Sequence, residues 1–146
     1  MKRILTVFVL AIALSFVSFV FGQDEYTVSG DVAYSKDATF YVCLHTLKTI
    51  QKWLLAMPAG SFTQTVKTNP SGKASFTFKG VPKGEYILVA FADENGNGKM
   101  DKTTWGSCAE PLWVYKRYPT GSAHVIQDWS QQKFVVDKDV TGITLK

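Results

Sequence analysis

The sequence predicts an all-β domain, an antiparallel β-sandwich of about seven strands. Two observations carry that reading. Short stretches of alternating apolar and polar residues recur along the chain, and Gly, Pro, Asn and Asp clusters separate them at regular intervals. No long segment keeps a helical period. At 146 residues, the chain is long enough for one hydrophobic core and too short for two comfortable ones.

Residues 1–22 are read as a signal peptide and 23–146 as the sandwich domain. Lys2 and Arg3 precede an apolar run from Ile4 to Phe21, and Val20 and Gly22 stand where small residues favour cleavage before Gln23. An uncleaved anchor is the competing reading, since the run is nearly long enough to span a bilayer. Cleavage predicts a secreted or periplasmic protein with no membrane span. Losing Lys2 and Arg3 lowers the formal net charge from +4 to +2, and the remaining cations are scattered. No nucleic-acid partner is expected.

In chain order, Tyr26, Val28, Val32 and Tyr34 alternate with Thr27, Ser29, Asp31 and Ala33, with Gly30 marking a candidate bulge. Ala38 to Leu44 is apolar on both faces and reads as a central strand. Thr46 to Met57 carries Leu47, Ile50 and Leu54 at helical spacing; among so many strands, it is read as a loop taking Trp53 into the core. Phe62–Lys67 and Lys73–Phe78 alternate around the turn Asn69-Pro70-Ser71-Gly72. Val81-Pro82-Lys83-Gly84-Glu85 is a second tight turn. Tyr86–Ala92, apolar on both faces, is the innermost strand. Leu112–Tyr118 is a further strand, and Phe134–Val136 with Val140–Leu145 form a closing pair around Asp137-Lys138-Asp139.

The innermost strand runs into Asp93-Glu94-Asn95-Gly96-Asn97-Gly98-Lys99-Met100-Asp101. Side-chain oxygens recur at every second position, as in the first nine positions of an EF-hand loop. Such a loop offers Ca²⁺ oxygens from positions 1, 3, 5, 7 (through the backbone) and 9, with glycine at 6 for the turn. Asp93, Asn95, Asn97, Lys99 and Asp101 fill those positions, Gly98 supplies the glycine, and Lys99 points outward. The competing reading is a plain hairpin, because Asn95-Gly96 and Asn97-Gly98 are both type I′ turn dipeptides. That accounts for the glycines but not for the alternation of oxygens ending at Asp101. Mg²⁺ fits less well, since a flexible loop of many ligands suits the larger ion.

The run Val81-Pro82-Lys83-Gly84-Glu85-Tyr86 feeding a buried strand resembles the transthyretin-like and carboxypeptidase-regulatory-like sandwiches, which share an Ig-like architecture. Joined directly to the Asp93–Asp101 loop, it is similar to the exported bacterial family DUF2141, over about Thr39 to Leu145. Gly106-Ser107-Cys108-Ala109-Glu110 stands where that family carries G-x-P-x-E, so Glu110 matches the family glutamate and Cys108 replaces a proline. Pro111-Leu112-Trp113-Val114-Tyr115 departs from the small-residue stretch that usually follows, and Ala92 stands where histidine is common. The resemblance implies a fold and a loop, with no activity attached.

Position 12 of the loop is Thr104, which cannot give the bidentate carboxylate of a full EF-hand. Glu110 is the expected replacement. Three carboxylates and neutral partners predict weak Ca²⁺ affinity, about 10⁻⁴–10⁻³ M.

Cys43 and Cys108 are the only cysteines, and two readings stay open. A disulfide would close a loop of about 65 residues and contribute roughly 4 kcal/mol; otherwise Cys43 is a buried strand residue and Cys108 an unrelated thiol. Cys43 and His45 share a strand face, and a structural role outweighs a zinc site. No arrangement of nucleophile, base and acid is recognisable, so no enzyme is expected. The expected function is an exported binding or accessory module with a structural Ca²⁺ loop and a protein or glycan partner. The alternative is a carbohydrate-binding module using aromatics near Trp113, drawn from Trp105, Trp113, Tyr115, Tyr118 and Trp129.

Overall fold

The structure, a computed structural model, describes residues 22–53, 61–105, 108–116 and 129–146, with the side chains of 51–53 excepted. The expected signal peptide therefore lies outside the described residues apart from Gly22. Arg117, Tyr118 and the turn after them lie outside as well, as does His124.

Two sheets form the sandwich. The first has the order β4–β1–β8, with β1 at Glu25–Ala33, β4 at Lys73–Pro82 and β8 at Val140–Leu145. The second has the order β3–β2–β5–β6, from Phe62–Lys67, Thr39–His45, Gly84–Asp93 and Leu112–Val114. β7 (Phe134–Val136) pairs with the start of β5, Gly84–Tyr86, ahead of the stretch that pairs with β6. All pairings are antiparallel except β1 with β8, which is parallel.

Alternation explains which side chains meet between the sheets. Val28 and Val32 of β1, Ala74, Phe76 and Phe78 of β4, and Ile143 and Leu145 of β8 face Phe40, Val42, Leu44, Leu88, Ala90 and Ala92 of the second sheet. β5 is buried from Tyr86 through Asp93, as expected of the innermost strand. Its other face supports a smaller cluster of Ile50, Ile87, Val89 and Val114.

Gly30 has a sharper role than a bulge alone. The register with β8 does shift between Val28 and Gly30, but a Cβ at Gly30 would also stand 2.1 Å from the Ile143 carbonyl oxygen. Only glycine lets β8 approach so closely.

Four expectations need correction. Leu47–Trp53 is a helix, α1, not a loop. Thr46 caps it, since its backbone carbonyl and side chain accept from Thr49 and Ile50, and Ile50 is buried at 5 % exposure against β5. A second helix, α2 at Trp129–Gln132, is too short to show a period. The expected strand after Leu112 stops at Val114, where Tyr115 and Lys116 turn away and Lys116 takes φ 59°. Finally, β7 and β8 do not pair with each other. They join different sheets, and Asp139 between them accepts from the Thr27 N–H at 2.8 Å.

The tight turn at Val81–Glu85 is a corner between sheets, because β4 and β5 belong to opposite layers with Lys83 alone between them. The Tyr86 hydroxyl donates to the Pro82 carbonyl at 2.9 Å and pins the corner. Gly84 leaves room for that ring, which a Cβ would meet at 3.3 Å.

Candidate functional site

The buried strand β5 delivers Asp93 to the rim of the sandwich at 6 % exposure. Beyond it the chain winds around that carboxylate. Asp93 Oδ1 accepts from the Gly96 and Asn97 amides at 2.7 and 3.1 Å, and Oδ2 accepts from the Gly98 amide at 2.8 Å. Gly96 and Gly98 have φ of 74° and 77°, which sets the winding. Asn95 Oδ1 accepts from the Asn97 N–H and Asn97 Oδ1 from the Lys99 N–H, at 3.1 and 2.9 Å. These are successive Asx turns. Among the described residues Lys116 is the non-glycine with positive φ. Neither asparagine therefore adopts the type I′ geometry that a plain Asn-Gly hairpin needs.

Asp101 closes the loop. Its Oδ2 accepts from Asn95 Nδ2 at 2.5 Å and Asn97 Nδ2 at 2.8 Å. Met100 beside it is buried, and Lys99 is exposed as expected. Glu110 arrives from outside the loop, at 7 % exposure. Its Oε1 accepts from the Glu94 N–H at 3.0 Å and its Oε2 from the Asp101 N–H at 3.3 Å. One carboxylate thus ties the second residue of the loop to the ninth. Burial raises the Glu110 pKa, as do the charges of Asp93 and Asp101, while the two backbone donors pull it back down.

All six expected residues lie in this structure, with Asp93, Asn95, Asn97, Asp101 and Glu110 joined by hydrogen bonds through one loop. Their oxygens face backbone and amide N–H groups. Among the described residues, no group of three or more His, Cys, Asp or Glu side chains stands close enough to hold a metal ion.

Sequence reasoning missed the partners of Glu94. Tyr34 Oη donates to Glu94 Oε1 at 2.5 Å and Lys36 Nζ at 2.8 Å, from 60 and 58 residues away. The Lys36 hydrogen bond, then that of Tyr34, lowers the Glu94 pKa. No local pattern announces a pair at that separation. Next to Lys36, a polar cleft of about 330 Å³ runs past Ser35, Asp37, Thr68 and Asn69.

Residues 31–143 match the DUF2141 family, described as an uncharacterized protein conserved in bacteria. The chain belongs to the DUF2141 family. No curated protein and no solved structure matches it. Of the two readings open for the cysteines of this DUF2141 chain, the structure has both as free thiols. Cys43 is buried on β2, where burial pushes its pKa up to about 11, and Cys108 sits in an isolated bridge with Lys102. His45 is buried on the same strand, and burial lowers its pKa to about 4.

The aromatics after the loop divide. Trp113 is half-buried, with its ring edge-on to Tyr34 and Phe40 at 5.2 Å. Tyr115 packs edge-on to Phe134 at 5.3 Å. Trp105 alone of the described set faces solvent, at 93 % exposure. No described helix is long and apolar enough to cross a membrane.

Proposed function

We propose that this protein is an exported, non-enzymatic β-sandwich that binds Ca²⁺ in the 93–101 loop and serves as a binding or accessory module of the cell envelope or exterior. The observation that carries the reading is the reach of Glu110 across the loop, from the Glu94 N–H to the Asp101 N–H. It supplies, from outside, the carboxylate that Thr104 cannot. The donor set is hard oxygen throughout: Asp93, Asn95, Asn97, the Lys99 carbonyl, Asp101 and Glu110. That chemistry suits Ca²⁺ and not a thiolate- or imidazole-loving metal.

Backbone donors already wind the loop around Asp93, so rotation of side chains would suffice to turn oxygens towards a cation. The amide groups of Asn95 and Asn97, which donate to Asp101 Oδ2, would yield that side of Asp101 to the cation. A carboxylate has about four acceptor sites, so Asp93 keeps capacity beyond its three backbone donors. Bound Ca²⁺ would then offset the mutual repulsion of Asp93, Asp101 and Glu110. Export rests on the Lys2–Gly22 pattern, and the lack of an enzymatic role on a sequence with no recognisable nucleophile or acid–base pair.

The test is a thermal melt of metal-free protein with millimolar Ca²⁺ or with chelator. The melting temperature is expected to rise with Ca²⁺. No shift at millimolar Ca²⁺ overturns the reading.

A further inference from the structure

Two more loops stand at the end of the sandwich that carries the 93–101 loop, since Thr39 is in register with both Asp93 and Lys67. One joins β1 to β2 through Ser35, Lys36 and Asp37, and the other joins β3 to β4 through Thr68, Asn69 and Pro70. Backbone and side chain lock them together. The Tyr34 N–H donates to the Gly72 carbonyl at 2.9 Å, and the Ala38 N–H donates to Thr68 Oγ1 at 3.0 Å. Gly72, at φ 72°, lets the loops close, because a Cβ there would stand 2.8 Å from the Tyr34 carbonyl oxygen. Lys36 is held from the third loop by Glu94 at 2.8 Å. The cleft of about 330 Å³ between the two loops is therefore preformed, which spares a ligand the cost of ordering it. Its volume lies at the small end of ligand pockets, about 300–1,000 Å³.

The polar groups on its walls are half used. Asn69 Oδ1 accepts from the Ser71 N–H, the Ser71 hydroxyl and the Lys73 N–H at 3.0, 2.7 and 3.1 Å, while Asn69 Nδ2 has no partner among the described residues. Asp37 Oδ1 accepts from the Thr68 hydroxyl at 3.2 Å, and its Oδ2 has no partner among them either. Nor has the Ser35 hydroxyl. One wall thus offers a spare acceptor and a hydroxyl that can serve either way, and the other wall offers a spare donor.

Charge does not choose the occupant. The ionisable groups of the lining are one of each sign, Lys36 and Asp37, and Lys36 already has Glu94 as its partner. A peptide would need a bare strand edge, an apolar groove or a cluster of arginines. The lining is instead hydroxyls, a carboxamide, a carboxylate, an ammonium and one proline ring. A sugar hydroxyl donates and accepts at once, so one vicinal diol can meet Asp37 and Asn69 together, with the Pro70 ring against its C–H face.

We propose that the cleft between residues 35–37 and 68–72 is a binding site for a neutral saccharide, with Asp37 Oδ2 accepting from one hydroxyl and Asn69 Nδ2 donating to its neighbour. This gives the binding module its ligand class and rests on that part of the function proposed above; it draws on neither the calcium loop nor the aromatics near Trp113.

Titration of the isotope-labelled protein with cellobiose, maltose and chitobiose, read by amide chemical shifts, tests it. At least one of these sugars is expected to shift the Ser35, Lys36 and Asp37 amides and the Asn69 carboxamide protons, with Kd on the order of 1 mM. Asn69→Asp keeps Oδ1 for the turn and loses the spare donor. Asp37→Asn keeps an oxygen for Thr68 and loses the spare carboxylate oxygen. Each should raise Kd at least about fivefold, with thermal melts confirming that both variants fold. Triglycine and digalacturonate at the same concentration should leave the cleft signals in place. No shift with any of the three neutral sugars, shifts confined to other residues, a Kd unchanged in both variants, or an equal or larger response to triglycine or digalacturonate each overturns the proposal. Melts in Ca²⁺ and chelator keep the two readings apart: a Ca²⁺ shift without sugar binding removes the cleft site and leaves the calcium loop standing, and sugar binding without a Ca²⁺ shift does the reverse.

Discussion

Replacing Glu110 with alanine should do two separable things. In chelator it removes the acceptor of two backbone donors, Glu94 N–H at 3.0 Å and Asp101 N–H at 3.3 Å. Both bonds end on a carboxylate, and bonds to charged groups are worth about 1.5–3 kcal/mol when short and well enclosed. Here the longer bond and the only partly buried donors reduce that, and water can reach the freed N–H groups. A net loss of about 2 kcal/mol is expected, roughly 6–10 °C in melting temperature for a domain of this size. In calcium the variant should lose more. With Kd near 10⁻⁴–10⁻³ M and about 10 mM Ca²⁺, the wild type gains about 1.4–2.7 kcal/mol by mass action, and a loop without Glu110 should gain little of it. Urea unfolding followed by circular dichroism, with and without Ca²⁺, gives all four values of the cycle. If Glu110→Ala keeps the full calcium increment, Glu110 is not a ligand. If it matches the wild type in chelator, the carboxylate does not hold the loop.

Burial that lowers the His45 pKa to about 4 makes the fold acid-sensitive. Against an unfolded value near 6.5, the unfolded chain takes up the proton first as pH falls. Stability is whole above about pH 6.5 and declines by about 3 kcal/mol on reaching pH 4; urea midpoints across that window should fall steeply in wild type and less in His45→Gln. Tyr86→Phe removes the hydroxyl that donates to Pro82 at 2.9 Å and should cost about 1 kcal/mol, read as a lower urea midpoint at unchanged slope. Gly30→Ala puts a Cβ 2.1 Å from the Ile143 carbonyl oxygen; a loss of about 2–3 kcal/mol is expected, with faster amide exchange in β8 than in β5. Alkylation of the native protein near pH 8 should label Cys108 and spare Cys43, and denaturant should expose both.

Much of the sheet was legible because burial on one face leaves a period of two. β3, β7 and β8 run between the residues that alternation assigns them, and the Asn69 turn closes as its composition suggests, with Asn69 Oδ1 accepting from the Ser71 and Lys73 N–H groups at 3.0 and 3.1 Å. Alternation cannot say which layer a strand joins. Lys83 between β4 and β5, and Asp137–Asp139 between β7 and β8, look like hairpin turns and are crossings between sheets. The clue at the first crossing was Tyr86, whose ring needs Gly84 beside it and whose hydroxyl needs a carbonyl upstream. α1 was legible in the spacing of Leu47 and Ile50 and was set aside for its context. At the loop, the alternation of Asp93, Asn95 and Asn97 encodes the winding itself, since each side chain caps an amide a few residues on. The arrival of Glu110 came from the family pattern, not from spacing. Tyr34 and Lys36 could be read from neither.

The loop's place in the sheet argues for a brace over a sensor. An EF-hand sensor works by swinging helices on either side of its loop. Here the loop leaves β5 at Asp93, and the chain returns to the same strand. The Ala92 N–H donates to the Pro111 carbonyl at 3.0 Å, and Phe91 is in register with Leu112. Both ends are thus fixed within one residue of each other, on a strand buried along nearly its whole length. A cation bound between such ends has no domain-scale motion to drive. Its free energy can act only on what lies between them, which is the loop and the segment after it. Calcium should therefore slow amide exchange at Gly96, Gly98 and Asp101 and leave β1, β4 and β8 unchanged; protection spreading across the sandwich would refute the local role.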